Sequence, residues 1–265
     1  MKLKINVVDA FTDVIFKGNA AAVIITERWL DDELMQSIAT ENNLSETAFS
    51  VLNNEGVFAI RWFSTITEID FCGHATLATA FVLFANNPTF EKITFFAEAV
   101  GKLDVTKTPD GLIQMSFPNR APKPVDSVPP DLLKGLSIKP NAVLLSEQAY
   151  FAVFDSEQAV RDVVQDKAYL KKLAPYDVVV TAPSDTQPFD FVSRYFWPVR
   201  GGDEDPVTGS IHAGLAPYWS DKLGKTQLTA LQASSRGGVL CCRVEGDRVF
   251  ISGQAVQYLE GFITV

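Results

Sequence analysis

Two charge-free stretches constrain this chain more than anything else in it. Residues 74–85 and 209–220 contain no Lys, Arg, Asp or Glu, yet each is long enough for three helical turns. A helix that is apolar on every side must be buried. Both stretches lie among short runs rich in β-branched and aromatic residues, such as Phe58–Phe63 and Phe191–Phe196. Strand runs with few intervening helices do not fit a doubly wound parallel sheet. The pattern predicts an α+β protein of two halves, each a curved sheet around one central helix.

The two halves read as copies. Arg61 in the first strand run precedes Gly73 by a polar turn, and Arg194 precedes Gly209 in the same way. Each half also places a helical pattern, 31–40 or 156–173, before a strand carrying Thr-Ala: Thr47-Ala48 and Thr181-Ala182. Asp31 is the expected cap of the first helix, and Leu34 and Ile38 share its apolar face. Matching order over so long a span points to duplication. Five prolines between Phe117 and Pro130 mark the boundary. The expected division is 1–118, a linker at 119–130, and 131–265.

Acidic residues outnumber basic ones 32 to 23, for a net charge of -9. Such a surface repels phosphate backbones and argues against nucleic acid or an anionic membrane as partner. An anionic substrate would have to be held by local groups. Three cysteines, two of them adjacent, do not make a disulfide framework. The N-terminal residues do not form a secretory signal, and no apolar run is long enough for a membrane span. These features predict a soluble cytoplasmic protein with reduced thiols.

Candidate chemistry is sparse. The phosphate-loop, dinucleotide, zinc-protease and nucleophile-elbow motifs are absent, and neither histidine has metal-spaced partners along the chain. No metal and no cofactor is expected. Gly73-His74 and Gly209-Ser210 are read as helix starts, whose unpaired amides and positive dipole end suit a carboxylate. Equally, the glycines can serve only as turn residues. Asp205-Pro206 reads either as a functional acid or as an N-cap followed by proline at the first helical position. His74 is a functional candidate or a core histidine. Glu46 shares a strand face with Leu44 and Ala48, whose apolar character would disfavour its charged form, as acid/base work requires. A solvated edge position is the other reading.

Five segments carry a resemblance: Phe16–Val23, Glu41–Phe49, Ile60–Phe63, Asp70–Ala78 and Asp203–Ser210. Together they resemble the phenazine-biosynthesis PhzF-like isomerase family, from near the N-terminus to about residue 220. The resemblance implies a diaminopimelate-epimerase-like fold with the active site between two mostly antiparallel halves, and a last segment, Gly253–Val265, that can cross back to the first half. It implies Glu46 as the catalytic acid/base, with His74 and Asp205 positioning the substrate and its protons. Gly73, His74, Gly209 and Ser210 match positions that hold the substrate carboxylate. Asn19 matches the Gly-Asn loop, in which Ala20 here replaces the usual proline. Relatives commonly form homodimers.

Cysteine-dependent epimerases of the same fold need a thiol at each helix start. Cys72 takes the first place, but Thr208 takes the second, and its hydroxyl is too basic to replace a thiolate. The expected activity is therefore a cofactor-independent proton shift on a small carboxylic acid. An amino-acid or hydroxyproline-type epimerase using Cys72, and a non-catalytic carboxylate-binding protein, are the alternatives.

Overall fold

The structure is a computed structural model and describes residues 1–53 and 55–265. Its first elements are β1 (Lys2–Ala10), β2 (Asn19–Thr26), α1 (Asp32–Asn42), β3 (Glu46–Leu52), β4 (Phe58–Phe63), β5 (Glu68–Ile69), α2 (Gly73–Asn86), β6 (Lys92–Ala97), β7 (Gly101–Lys107) and β8 (Ile113–Pro118). Then come β9 (Lys123–Pro124), α3 (Pro130–Lys134), β10 (Ala142–Leu145), β11 (Ala149–Val153), α4 (Glu157–Asp162), α5 (Lys167–Leu170), β12 (Asp177–Pro183), β13 (Phe191–Phe196) and β14 (Glu204–Asp205). The chain closes with α6 (His212–Leu223), β15 (Gln227–Gln232), β16 (Gly238–Glu245), β17 (Arg248–Gly253) and β18 (Ala255–Thr264). Among the described residues, no helix is long and apolar enough to cross a membrane.

The chain forms two compact units, Met1–Ser116 with Ser252–Val265, and Phe117–Ile251. The last segment belongs to the first unit, where β18 pairs antiparallel with β1. The proline-rich stretch is part of the second unit and not a free connector. Pro124 in β9 pairs with Leu144 of β10, and Pro130 opens α3, where a missing N–H costs nothing.

In the first unit β2 runs parallel to β3, while β3–β4, β4–β5, β6–β7 and β7–β8 are antiparallel; β4 and β6 are parallel. Ala22 and Ile24 of β2 and Phe49 of β3 pack with Met35, Ile38 and Ala39 of α1. Ala21 and Val23 are also fully buried and point the other way, toward the face where α2 packs. With both faces covered, β3 is buried along nearly its whole length. The predicted buried helix at 74–85 is α2, whose body is apolar on every side.

The second unit repeats this connectivity. β11 is parallel to β12; β12–β13 and β13–β14 are antiparallel; β13 is parallel to β15; and β15–β16 are antiparallel. The two arginines noted in the sequence play matching parts. Arg61 forks onto both carboxylate oxygens of Glu68 at 2.6 Å, over the Phe63 ring. Arg194 forks onto Glu204 at 2.8 and 2.9 Å, over Phe196. Each bidentate pair fastens the short strand that leads toward the unit's central helix. Arg194 also donates to the carbonyls of Val160, Arg161 and Val163, closing the end of α4.

Two sequence expectations change. The helix expected over 156–173 is broken into α4, α5 and a tight turn, because Val163 is extended and Asp166 starts a new helix by capping Ala168. Gly209 does not open the second central helix. Residues 209–211 form a tighter turn, with His212 N–H on Gly209 O at 3.1 Å, and α6 begins at His212. Pro217 neither ends nor interrupts α6. The Ala213 carbonyl that it cannot bond is taken by the Arg120 amide at 3.0 Å.

Candidate active site

Glu46 opens β3 opposite Ala21 of β2, so it shares the face of Ala21 and of Asn19, two residues earlier. That face meets α2, and the first turn of α2 carries His74. Three sequence-distant side chains therefore converge. Glu46 Oε2 lies 2.9 Å from His74 Nε2. Asn19 Nδ2 lies 3.1 Å from His74 Nδ1. Cys72, the residue before the helix, puts its Sγ 3.4 Å from the same nitrogen. All four side chains are buried.

Burial works against a charge on His74, but the Glu46 carboxylate 2.9 Å away holds its pKa well above the ordinary value. Burial, reinforced by Glu46, pushes the Cys72 thiol up to about 11. Near neutral pH Cys72 is therefore a thiol, and Glu46 is the charge that stabilises the imidazolium. The Asn19 amide is coupled to this proton. With Nδ2 toward the ring it donates to a neutral Nδ1; when Nδ1 carries a proton, the amide must turn to offer oxygen.

Iodoacetamide at neutral pH should accordingly leave Cys72 unmodified and react first with half-buried Cys241. Peptide mass spectrometry reads this directly, and early labelling of Cys72 would show that its thiolate is populated.

Glu46, Cys72 and His74 also form a donor set, with ligand atoms all within 4.8 Å of one another. Sequence spacing could not show this, since Glu46 comes from a different strand. Oε2 and Nε2 stand 2.9 Å apart. A zinc ion bound to both would need about 3.3 Å between them, given bonds near 2 Å. A metal would have to spread the pair and displace the His74 proton.

The second unit holds the other expected residues. Asp205 lies in β14 opposite Tyr195, seven residues before α6, so it is not the cap of that helix. Its carboxylate instead accepts from the Thr208 hydroxyl. Gln232 accepts from the Thr208 amide at 2.8 Å and donates to the Asp205 carbonyl at 2.8 Å, fixing the loop. Gly209 is buried in the turn that follows, and half-buried Ser210 has its Oγ 3.0 Å from Gln148 Nε2. Buried His212 gives Nδ1–H to the Thr208 carbonyl at 2.9 Å, and burial lowers its pKa to about 4, so it is neutral.

The structural repeat exposes a residue the sequence reading missed. Asp177 opens β12 opposite Ala149, as Glu46 opens β3 opposite Ala21. Arg194 faces Val180 and Arg61 faces Phe49, each three residues further along. Asp177 is thus the counterpart of Glu46. The two Thr-Ala pairs are three residues out of register and not equivalent. Aligning the halves on their arginines would have found it.

The family model for PhzC-PhzF, phenazine biosynthesis-like protein, matches residues 8–261. The chain belongs to the PhzC-PhzF family. It is 48% identical over 261 residues to an uncharacterized isomerase of Pseudomonas aeruginosa, covering 98% of each chain. A PhzF family protein of Enterococcus faecalis superimposes with a TM-score of 0.93 at 42% identity, covering 100% of both chains. A hydroxyproline epimerase of Agrobacterium vitis shares the fold, with a TM-score of 0.58 at 11% identity over 99% of this chain and 92% of that one. The chain is placed with isomerases, on an α+β fold common to PhzF proteins and epimerases.

Proposed function

We propose that this protein is a cofactor-independent isomerase that moves a proton between two carbons of a small unsaturated or carbonyl-bearing carboxylic acid. The observation that carries this reading is the buried Glu46–His74 pair. His74 engages Oε2 and leaves Oε1 to work on the substrate. Glu46 Oε1 takes a proton from carbon, the C–H electron pair enters the conjugated system, and the same carboxyl, once its proton has exchanged with water, returns a proton to another carbon. Charge is conserved and no co-reactant is consumed. The imidazolium of His74 steadies the carboxylate before and after the transfer. Taken unit by unit, Gly73 in the first, and Gly209 with the Ser210 hydroxyl in the second, are the donors suited to a carboxylate, and Asp205 keeps the Thr208 loop in place.

Incubation with a panel of small unsaturated carboxylic acids in heavy water tests the reading. Deuterium should enter at carbon and appear with a shifted double bond or carbonyl. Absence of exchange across a panel that includes bound acids would overturn it. The contact between Cys72 and His74 favours epimerisation as the second reading. Inversion at one carbon without movement of the double bond, abolished in Cys72→Ala, would select it.

A further inference from the structure

We infer that Gln148, held by Tyr195 and Asp177, is a positioning residue that forces the Ser210 hydroxyl to donate its hydrogen to the substrate carboxylate. The inference rests on the reading of Ser210 given above. Tyr195 has one O–H, and that hydrogen goes to Asp177 Oδ2 at 2.8 Å. Tyr195 is therefore only an acceptor toward Gln148, whose Nε2 lies 3.0 Å away. This settles which end of the Gln148 amide faces the pair: a carbonyl there would meet an oxygen without a hydrogen to offer.

The same Nε2 lies 3.0 Å from Ser210 Oγ. One amide hydrogen goes to Tyr195 and the other to Ser210. Having received a hydrogen bond, the Ser210 oxygen points its own hydrogen elsewhere. Every donor direction in the chain follows from the buried carboxylate at its far end. Asp177 and Tyr195 are 2% and 4% exposed, so water does not relax this end of the arrangement. Burial, with Asp177 beside it, also keeps Tyr195 protonated.

The arrangement has a counterpart in the repeat. Glu46 reaches His74, in the first turn of α2, directly. Asp177, at the equivalent strand position, reaches Ser210 through Tyr195 and Gln148. The second carboxylate is not a spare acid. It sets the polarity of a hydroxyl that would otherwise be free to turn either way.

The test compares benzoate with its neutral analogue benzamide by calorimetric titration of the full chain. Wild-type protein should bind the acid at least ~10-fold more tightly, the size of one or more charge-assisted hydrogen bonds. Ser210→Ala should shrink the acid-to-amide ratio several-fold. Gln148→Glu, which offers Ser210 an acceptor in place of a donor, should shrink it equally. Ser210→Ala added to Gln148→Glu should then do nothing more. Gln148→Met, which removes the donor without supplying an acceptor, should fall between, and it decides the matter if Gln148→Glu does not fold. A merely structural role for Gln148 would lower the melting temperature without moving this ratio. If Ser210→Ala shrinks the ratio and the Gln148 variants do not, the inference fails and the carboxylate reading stands. Equal wild-type affinity for acid and amide, no measurable benzoate binding, or an unchanged ratio in Ser210→Ala overturns the carboxylate reading, and the inference falls with it.

Discussion

Glu46→Gln should slow deuterium exchange into a turned-over carboxylic acid by at least ~10²-fold, the usual contribution of a positioned acid/base. The substitution keeps the size of the side chain and leaves an oxygen that can accept from Nε2 of neutral His74, so the fold survives. What it removes is the ability to carry a proton and the charge beside the imidazolium. The stability change should depend on pH. His74 has a folded-state pKa raised well above 6.5. Its charged pairing therefore contributes fully below the unfolded value and is lost as pH rises through the raised one. The melting-temperature difference between wild type and Glu46→Gln should be larger near pH 6 than at alkaline pH. Near-normal exchange in the variant would remove Glu46 from the reaction, and a pH-independent difference would remove the ion pair.

The second large effect concerns the backbone beneath Asn19. Gly18 has φ +62°, and a Cβ added there would sit 2.1 Å from the Ala10 carbonyl oxygen and 2.7 Å from Thr12 Cγ2. The closest obstacle is main chain, which cannot rotate away. The left-handed conformation costs an ordinary residue roughly 1–2 kcal/mol, and overpacking typically adds about 1–3. At a few degrees per kcal/mol for a chain of this size, Gly18→Ala should lower the melting temperature by about 5 °C or more. It should also impair exchange beyond what lost stability explains, because Asn19, one residue on, contacts His74. Asn19→Ala is the control: reduced exchange with a smaller change in melting. Gly18→Ala with wild-type melting and activity would show that the turn has room the structure does not show.

How legible the site was depended on distance along the chain. Gly73 and His74 stood out because a glycine and a histidine open a charge-free helix, a local pattern. Glu46 was one candidate among two readings: the sequence set it on a strand face with Leu44 and Ala48, but Leu44 precedes β3 and packs with the α1 cluster on the other face, and the family resemblance supplied its role. Its partnership with His74 was not visible. It depends on β2 and β3 running parallel with Ala21 opposite Glu46, which brings residues 19, 46 and 74 to one face. Asp205 illustrates the reverse error. Asp-Pro is a good local signal for a helix start, yet the strand partner Tyr195 and the Gly209–Ile211 turn place α6 further on.

Local sequence by itself determined the kinds of element and much of the symmetry. Charge-free runs became central helices, runs rich in β-branched and aromatic residues became strands, and the paired arginines marked a duplication. These depend on periodicity and side-chain solubility, which act within a few residues. The tertiary structure alone decided which side chains meet. Strand register turns a face into a neighbourhood: it put Glu46 against His74, made Asp177 its counterpart, and linked Asp177 to Ser210 through Tyr195 and Gln148. A shift of one residue in either ladder would turn the same side chains to the opposite face, and nothing within those short segments specifies the register.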